Sequence, residues 1–233
     1  MCGRYRLSRR AEVLAAFDAA YEDMDWDAHY NVAPTQQVPV VRQHATQTIR
    51  QASLMGWGLV PHWANDASIG ARMINARAET AAEKLAFKES LERRRCLVPA
   101  DGFYEWKRNG KSKQPYCFEL IERKPFAFAG LWDRWRAPDG TALETCTILT
   151  TTPNQLLADV HDRMPVILAS ENYDLWLDPG FRDVAEITAI LTPFPAQQML
   201  RYLVGDRVNS VANDDAECSE PIQSLPPAQA GLF

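Results

Sequence analysis

Cys2 is the residue whose position opens the most unusual chemistry. It stands directly after Met1, and its small side chain is one that an aminopeptidase accepts beyond a methionine. The processed chain would begin with an α-amine and a thiol on adjacent carbons. An ordinary α-amine titrates at about 7.7–8.0 and a thiol at about 8.5, so near neutrality each is partly in its nucleophilic form. Such a 1,2-aminothiol attacks one aldehyde twice. The amine condenses to an imine, and the thiolate closes on the same carbon to a five-membered thiazolidine. Gly3 lets the backbone approach a ligand closely, and Arg4 can hold a phosphate. The competing reading is a frayed terminus with an inert cysteine, so the case depends on partners elsewhere in the chain.

Three polar segments offer such partners. Glu105 lies in Phe103-Tyr104-Glu105-Trp106. Desolvation between aromatics raises a carboxyl pKa and makes it a proton shuttle near neutrality, whereas plain strand alternation turns the same residue to water. His161 precedes Asp162 and Arg163; it reads either as an acid–base group or as a loop histidine bonded to backbone. Asn75 and Arg77 lead into a helix. Asn75 could orient a ligand oxygen and Arg77 could pair with phosphate or with Glu79, or both could serve loop and capping chemistry. Trp57, Trp63, Tyr104 and Trp106 could stack on bases as single-strand binders do; core packing is the favoured reading for Trp57 and Trp106.

The elements that must position these residues are marked by periodicity and turn residues. A helix is expected from Ser8 to Tyr21, with Ser8 as N-cap and Val13, Leu14 and Phe17 on one side. Strands are expected over Val38–Arg42 and Thr46–Met55, followed by an irregular Gly-, Pro- and Trp-rich segment from Gly56 to Trp63. Thr80 and Glu83 have capping-box spacing for a helix to Arg93. Cys96–Pro99 reads as a strand and Asp101-Gly102 as a turn. Phe103–Arg108 and Gln114–Leu120, joined at Asn109-Gly110, form the clearest hairpin. Pro125–Leu131 and Glu144–Thr151 are further strands around an Asp139-Gly140 turn. Pro153–Ala158, Ser170–Leu177 and Asp183–Leu191 read as helices, and Met199–Val204 as a late strand. The fold class expected is α+β, with a mainly antiparallel, barrel-like sheet and flanking helices.

Length and composition set the outer limits. A chain of 233 residues that is 46% hydrophobic and 24% charged buries a core without disulfide staples. No repeat or Gly/Ser linker splits it, so one domain over 1–222 is expected, with 223–233 as a disordered tail. No apolar run reaches the length of a membrane span. Arg4, Arg6, Arg9 and Arg10 are not followed by the apolar core of a secretory signal, so a cytoplasmic location, nucleoid-associated on DNA, is expected. Five cysteines without a Cys-x-x-Cys pair give no zinc or disulfide framework, and no metal or cofactor is expected. The net charge of −5 argues against a generic polyanion binder. Arg4–Arg10, Arg93–Arg95 and Lys107–Lys113 are basic clusters; each reads by default as a solvated face, and a local basic groove remains compatible with them.

Six ordered segments then carry a resemblance. They are Met1-Cys2-Gly3-Arg4-Tyr5, Tyr30-Asn31-Val32-Ala33-Pro34, Trp57-Gly58-Leu59-Val60-Pro61, Ile74-Asn75-Ala76-Arg77-Ala78-Glu79-Thr80, Arg95 to Trp106, and His161-Asp162-Arg163-Met164-Pro165. Together, from Cys2 to about Pro221, the sequence resembles the SOS response-associated peptidase (SRAP) family of abasic-site processing proteins. The resemblance implies covalent crosslinking to abasic sites in single-stranded DNA through the N-terminal cysteine, as a thiazolidine that shields the lesion in the DNA damage response. By position it implies Cys2, Asn75, Glu105 and His161 as the catalytic set. It implies Arg4, Pro34, Trp63, Arg77, Thr150 and Arg163 along the DNA path. Thr35 stands where some relatives have Gly, and Ala64 where some carry a second Trp, which bears on DNA stacking rather than on chemistry. A monomer is expected, with replication or repair proteins as unidentified partners. Two other classes compete: an N-terminal-nucleophile thiol peptidase or amidohydrolase, possible with the same residues and with removal of Met1 as its own reaction, and a non-covalent DNA-binding module.

Overall fold

The computed structural model describes residues 2–20, 26–44 and 49–222. The strands in chain order are β1 (Tyr5–Leu7), β2 (Ala19–Ala20), β3 (His29–Val32), β4 (Gln37–Gln43), β5 (Arg50–Trp57), β6 (Asn75–Arg77) and β7 (Arg95–Ala100). They continue as β8 (Gly102–Asn109), β9 (Ser112–Leu120), β10 (Phe126–Arg136), β11 (Ala142–Thr151), β12 (Met164–Pro165), β13 (Ile167–Leu168) and β14 (Met199–Leu203). The helices are short: α1 (Arg10–Ala16), α2 (Ala78–Ala81), α3 (Lys88–Arg93), α4 (Tyr173–Leu177) and α5 (Val184–Ala189). Among the described residues no helix is long and apolar enough to cross a membrane.

β11, β10, β7, β4 and β5 pair antiparallel in that order. β5 then returns to β11 in parallel, through Thr145↔Gly56 and Cys146↔Trp57, so five strands close into a barrel. A second, antiparallel sheet has the order β14-β9-β8-β1-β3. The α+β class with a barrel core is as the sequence leads one to expect. β7 is buried at every residue, because the barrel interior lies on one side and Trp176 of α4 on the other, its indole N–H donating to the Cys96 carbonyl at 2.8 Å.

β1 is the short strand that carries the residues after Cys2. Tyr5 anchors it to the barrel, packing edge-on against Trp57 at 5.3 Å and Phe128 at 5.8 Å between ring centroids. Asp101 anchors it to the second sheet. Its buried carboxylate accepts from Arg6 Nε at 2.6 Å, from the Ser8 amide at 2.6 Å and hydroxyl at 3.1 Å, and from the Arg9 amide at 2.9 Å. A carboxylate taken from water is stable only when its oxygens are filled in this way. Arg6 also meets Glu119 at 2.7 Å.

Local signals yield to these tertiary ties at several places. Ser8 does not cap α1; Asp101 takes its hydroxyl, and the N-cap residue is Arg9, without a side-chain bond. The helix stops at Ala16 rather than Tyr21, because Asp18 turns into the left-handed region at φ +44° and Ala19–Ala20 joins β5 in parallel; Tyr21 itself lies outside the described residues. Val13 and Phe17 are buried as expected. The helix expected from Thr80 to Arg93 is two short helices. Thr80 lies inside α2, with Arg77 as its cap and no side-chain capping bond. Arg77 is fixed there by β6–β11 pairing. Pro153–Ala158 is turn rather than helix, because the Asn154 side-chain oxygen takes the amides of Leu156 and Leu157 in the manner of an Asx turn. The β8–β9 hairpin forms as expected, with Asn109 paired to Ser112 and Gly110 at φ +60°. Thr46 and the tail over 223–233 lie outside the described residues.

Thr35 has a φ of +72°, held by its amide donating to the Trp57 carbonyl at 2.8 Å. A β-branched side chain in this region is strained by about 1–2 kcal/mol, and glycine returns about 0.5–1 kcal/mol of that as chain entropy. Thr35→Gly is therefore expected to stabilise the fold by up to about 1 kcal/mol, raising Tm by about 2–4 °C. A lowered Tm in a thermal melt would show that the Thr35 side chain contributes contacts worth more than the strain.

Candidate active site

Cys2 has no accessible surface, although it lies next to a terminus. Its thiol points at the Arg4 carbonyl, 3.9 Å away. Burial pushes the Cys2 thiol well above its ordinary range, and the nearby Glu105 carboxylate pushes it further. Gly3 and Arg4 emerge beside it on the wall of an open cleft of about 680 Å³. Glu105, Trp106, Arg108, Ser112, Lys113, His161, Asp206 and Asn209 complete that wall. Removing Met1 would place an ammonium on Cys2 itself, and a positive charge beside a thiol favours the thiolate.

Glu105 sits on β8, paired to Tyr116 of β9, and is 3% exposed. Burial raises its carboxyl from an ordinary 4.5 to about 7. Glu105 is thus desolvated, and the water-facing residue of plain strand alternation is not what the fold contains. His161 follows the turns after β11 and is half-buried at the cleft. Its Nδ1 accepts the Arg163 amide at 3.0 Å, which leaves Nε2 as the protonated nitrogen of the neutral ring. Asp162 Oδ1 also lies 3.0 Å from Nδ1; that contact attracts only the charged ring, and the backbone donor decides the tautomer. Burial lowers the His161 pKa below its ordinary value, so the neutral ring dominates near neutrality.

Arg4 is held as well as exposed to the cleft. Its guanidinium donates to Asn31 Oδ1 at 2.9 Å, to the Val208 carbonyl at 2.8 Å and to the Asn209 carbonyl at 3.4 Å. Asn31 is fully buried and its amide reaches the carbonyls of Val208, Ser210 and Asn213. Sequence reasoning gives Asn31 no role of its own, and nothing local marks one, since its partners lie almost the whole chain away. Trp106, expected in the core, is a wall residue whose indole donates to Asn209 Oδ1 at 2.6 Å; Trp57 is core, fully buried.

The other candidates form a second group, none of them lining the cleft. β6 lies parallel to β11 with Asn75↔Ile148 and Arg77↔Thr150. Asn75 Nδ2 reaches the Ile148 carbonyl at 3.4 Å, and its Oδ1 is buried with no hydrogen-bond partner. Arg163 holds Glu79 in a bidentate pair at 2.7 and 2.8 Å and bonds the Thr150 carbonyl at 2.5 Å. That pair pulls the Glu79 carboxyl below its ordinary value. Thr150 Oγ1 is buried on the Ala76 carbonyl. Arg77 is held by its backbone in the β6–β11 ladder, and its side chain is exposed. Trp63 is 44% exposed and Pro34 is half-buried before the strained Thr35. All five cysteines are free and buried, and among the described residues no cluster suited to a metal occurs.

The model of the family described as SOS response associated peptidase (SRAP) matches residues 1–211. The chain belongs to the SRAP family. It is 43% identical over 224 residues to the abasic site processing protein YoqW of Bacillus subtilis (strain 168), covering 94% of this chain and 99% of YoqW. It is 34% identical to the abasic site processing protein HMCES of Gallus gallus, covering 83% of this chain and 66% of HMCES. Among solved structures, a protein from Bacteroides thetaiotaomicron superposes with a TM-score of 0.85 at 28% identity, over 96% of this chain and 100% of that one. SRAP membership accounts for the order of the six sequence segments, which the fold gathers around the cleft and the adjoining β6–β11 edge.

Proposed function

We propose that this chain processes abasic sites in DNA by capturing them as a covalent thiazolidine on Cys2, once Met1 has been removed, and that single-stranded DNA is the substrate. Membership of the SRAP family and the names of its relatives support abasic-site processing. The observation that carries the chemistry is the placement of Cys2, buried within electrostatic reach of Glu105 and one residue from the cleft wall.

An abasic sugar is mostly a closed hemiacetal, and only its open aldehyde reacts. In the proposed sequence the neutral His161 Nε2–H donates a hydrogen bond to the ring oxygen as it opens, and that oxygen takes up the proton that the C1 hydroxyl releases as it becomes the aldehyde. The Cys2 amine adds to C1, forming the C–N bond. Glu105 then gives a proton to the carbinolamine hydroxyl, which leaves as water. The Cys2 sulfur adds to the iminium carbon, forming the C–S bond and leaving a neutral N–H, and the thiol proton returns to Glu105. The balance is protein plus aldehyde minus one water, with no change of oxidation state. Holding both nucleophiles beside one carbon supplies rate through effective molarity. Asn75 holds the sugar or the new terminus, and Arg4 and Arg77 take backbone phosphates. Pro34 and Trp63 flank the strand. Thr150 and Arg163 fix that edge, Arg163 being committed to Glu79. The bound protein shields the lesion.

Intact mass spectrometry with a single-stranded oligonucleotide carrying one abasic site tests this. The expected product is the sum of the two masses minus water, on a chain lacking Met1. A chain that lacks Met1 and forms no adduct but turns over an amide would instead support the amidohydrolase reading. Phosphate contacts also make a salt prediction. For single strands log affinity falls by about 0.7 per decade of salt for each phosphate neutralised. Affinity for a strand carrying the unreactive tetrahydrofuran analogue should fall accordingly between 50 and about 200 mM salt; a flat response in fluorescence anisotropy would remove the phosphate contacts.

A further inference from the structure

The β8–β9 hairpin carries a pair of cations that the chemistry above does not use. Arg108 and Lys113 face each other across the ladder, both are exposed, and both line the cleft. Like charges directly opposite in an antiparallel pair are destabilising. An acid is within reach one position along the strand, where Lys107, opposite the neutral Gln114, meets Asp159 at 2.6 Å. Outside the strand ladder, neither side chain meets an acid or a hydrogen-bond acceptor among the described residues, and both are exposed. The cleft's other acids are engaged elsewhere. Asp206 accepts from Asn209 at 3.3 Å, and Glu105 is buried beside Cys2. Arg108 is also near enough to His161 to act on its charge, so the pair borders the reacting end of the cleft.

We infer that Arg108 and Lys113 form a phosphate seat at the hairpin edge of the cleft, holding a phosphodiester of the bound strand next to the abasic sugar. A phosphate between two opposed cations converts their repulsion into two attractions, and the arginine can engage it with two donors. The seat distinguishes a lesion within a strand from a free sugar aldehyde. It rests on the reading of the cleft as an abasic-DNA site.

The test is binding of a tetrahydrofuran-containing single strand by anisotropy across a salt series, which involves no covalent step. Arg108→Gln/Lys113→Gln is expected to lose about tenfold in affinity at low salt and to flatten the log–log salt slope by about 0.7 for one phosphate released. Arg108→Lys/Lys113→Arg is expected to keep the wild-type slope, because it keeps the charge. An unchanged slope and affinity in the neutral pair would overturn the seat. Equal losses in the neutral and charge-conserving pairs would overturn it too, since shape rather than charge would then matter. Wild-type protein that binds the analogue but never forms an adduct with the aldehyde strand would sink the covalent reading alone.

Discussion

Cys2→Ala is expected to form no covalent adduct with an abasic single strand, while binding the tetrahydrofuran analogue within about threefold of the wild type. The substitution removes the sulfur and keeps the α-amine, so an imine can form but cannot be closed. Imines hydrolyse, and no stable mass increase should survive in water. A borohydride trap would separate the two steps: reduction should fix the alanine variant to the strand and leave the wild-type thiazolidine comparatively untouched. Cys2 is buried, but the loss is one sulfur atom at the edge of the core, costing about 1–2 kcal/mol of stability, well short of unfolding a domain. An adduct in Cys2→Ala that resists hydrolysis without borohydride would place the nucleophile elsewhere.

Glu105→Gln carries the second large effect, and it moves rate and stability in opposite directions. General-acid help is worth about 10²–10⁴-fold, so crosslinking should slow by at least about a hundredfold. The wild-type rate should show a maximum near pH 7–8. The amine must lose its proton, with an ordinary pKa of about 7.7–8.0, while Glu105 must keep its own, with a pKa of about 7. The glutamine variant should lose the descending alkaline limb. Stability follows from the same displacement. Folding raises the Glu105 pKa from 4.5 to about 7, so its favourable contribution is complete below pH 4.5 and is lost as pH rises through 7. By pH 8 the buried carboxylate costs the wild type roughly 3 kcal/mol. Glu105→Gln should therefore melt higher than wild type at pH 8 and about equally at pH 5. A melting difference that is the same at both pH values would show that ionisation of Glu105 is not what the fold pays for.

The parts of this structure that were legible in the sequence are those whose cause is local. The Asn109-Gly110 and Asp139-Gly140 hairpins follow from period-two patterning and from turn residues that tolerate positive φ, found at Gly110 and Gly140. The barrel class was legible as a run of such strands. Its closure was not, because β5 meets β11 in parallel through only two residue pairs far apart in the chain. Capping signals misled for the same reason. Ser8 and Thr80 have the right chemistry for N-caps, but Asp101 and the β6–β11 pairing claim those segments first. At the site, Cys2, Glu105 and His161 could be picked by residue type and gathered by resemblance. Asn31 and Asn209 could not, since their part is to brace the wall through bonds to residues far along the chain.

The bond from Arg4 to the Val208 carbonyl spans 204 positions of chain, and it has a consequence in time. On the ribosome, at about 5–20 residues per second, Cys2 is outside for many seconds before Glu105, His161 and finally Val208 follow. Throughout that interval the segment around Cys2 lacks the partners that bury it, beyond the nearby β3, and stays open to processing enzymes. The cleft wall closes over it only when nearly the last of the domain emerges. Trimming of the terminus can thus run ahead of burial, and in the proposed reaction the aminothiol would meet Glu105 and His161 only in a finished fold.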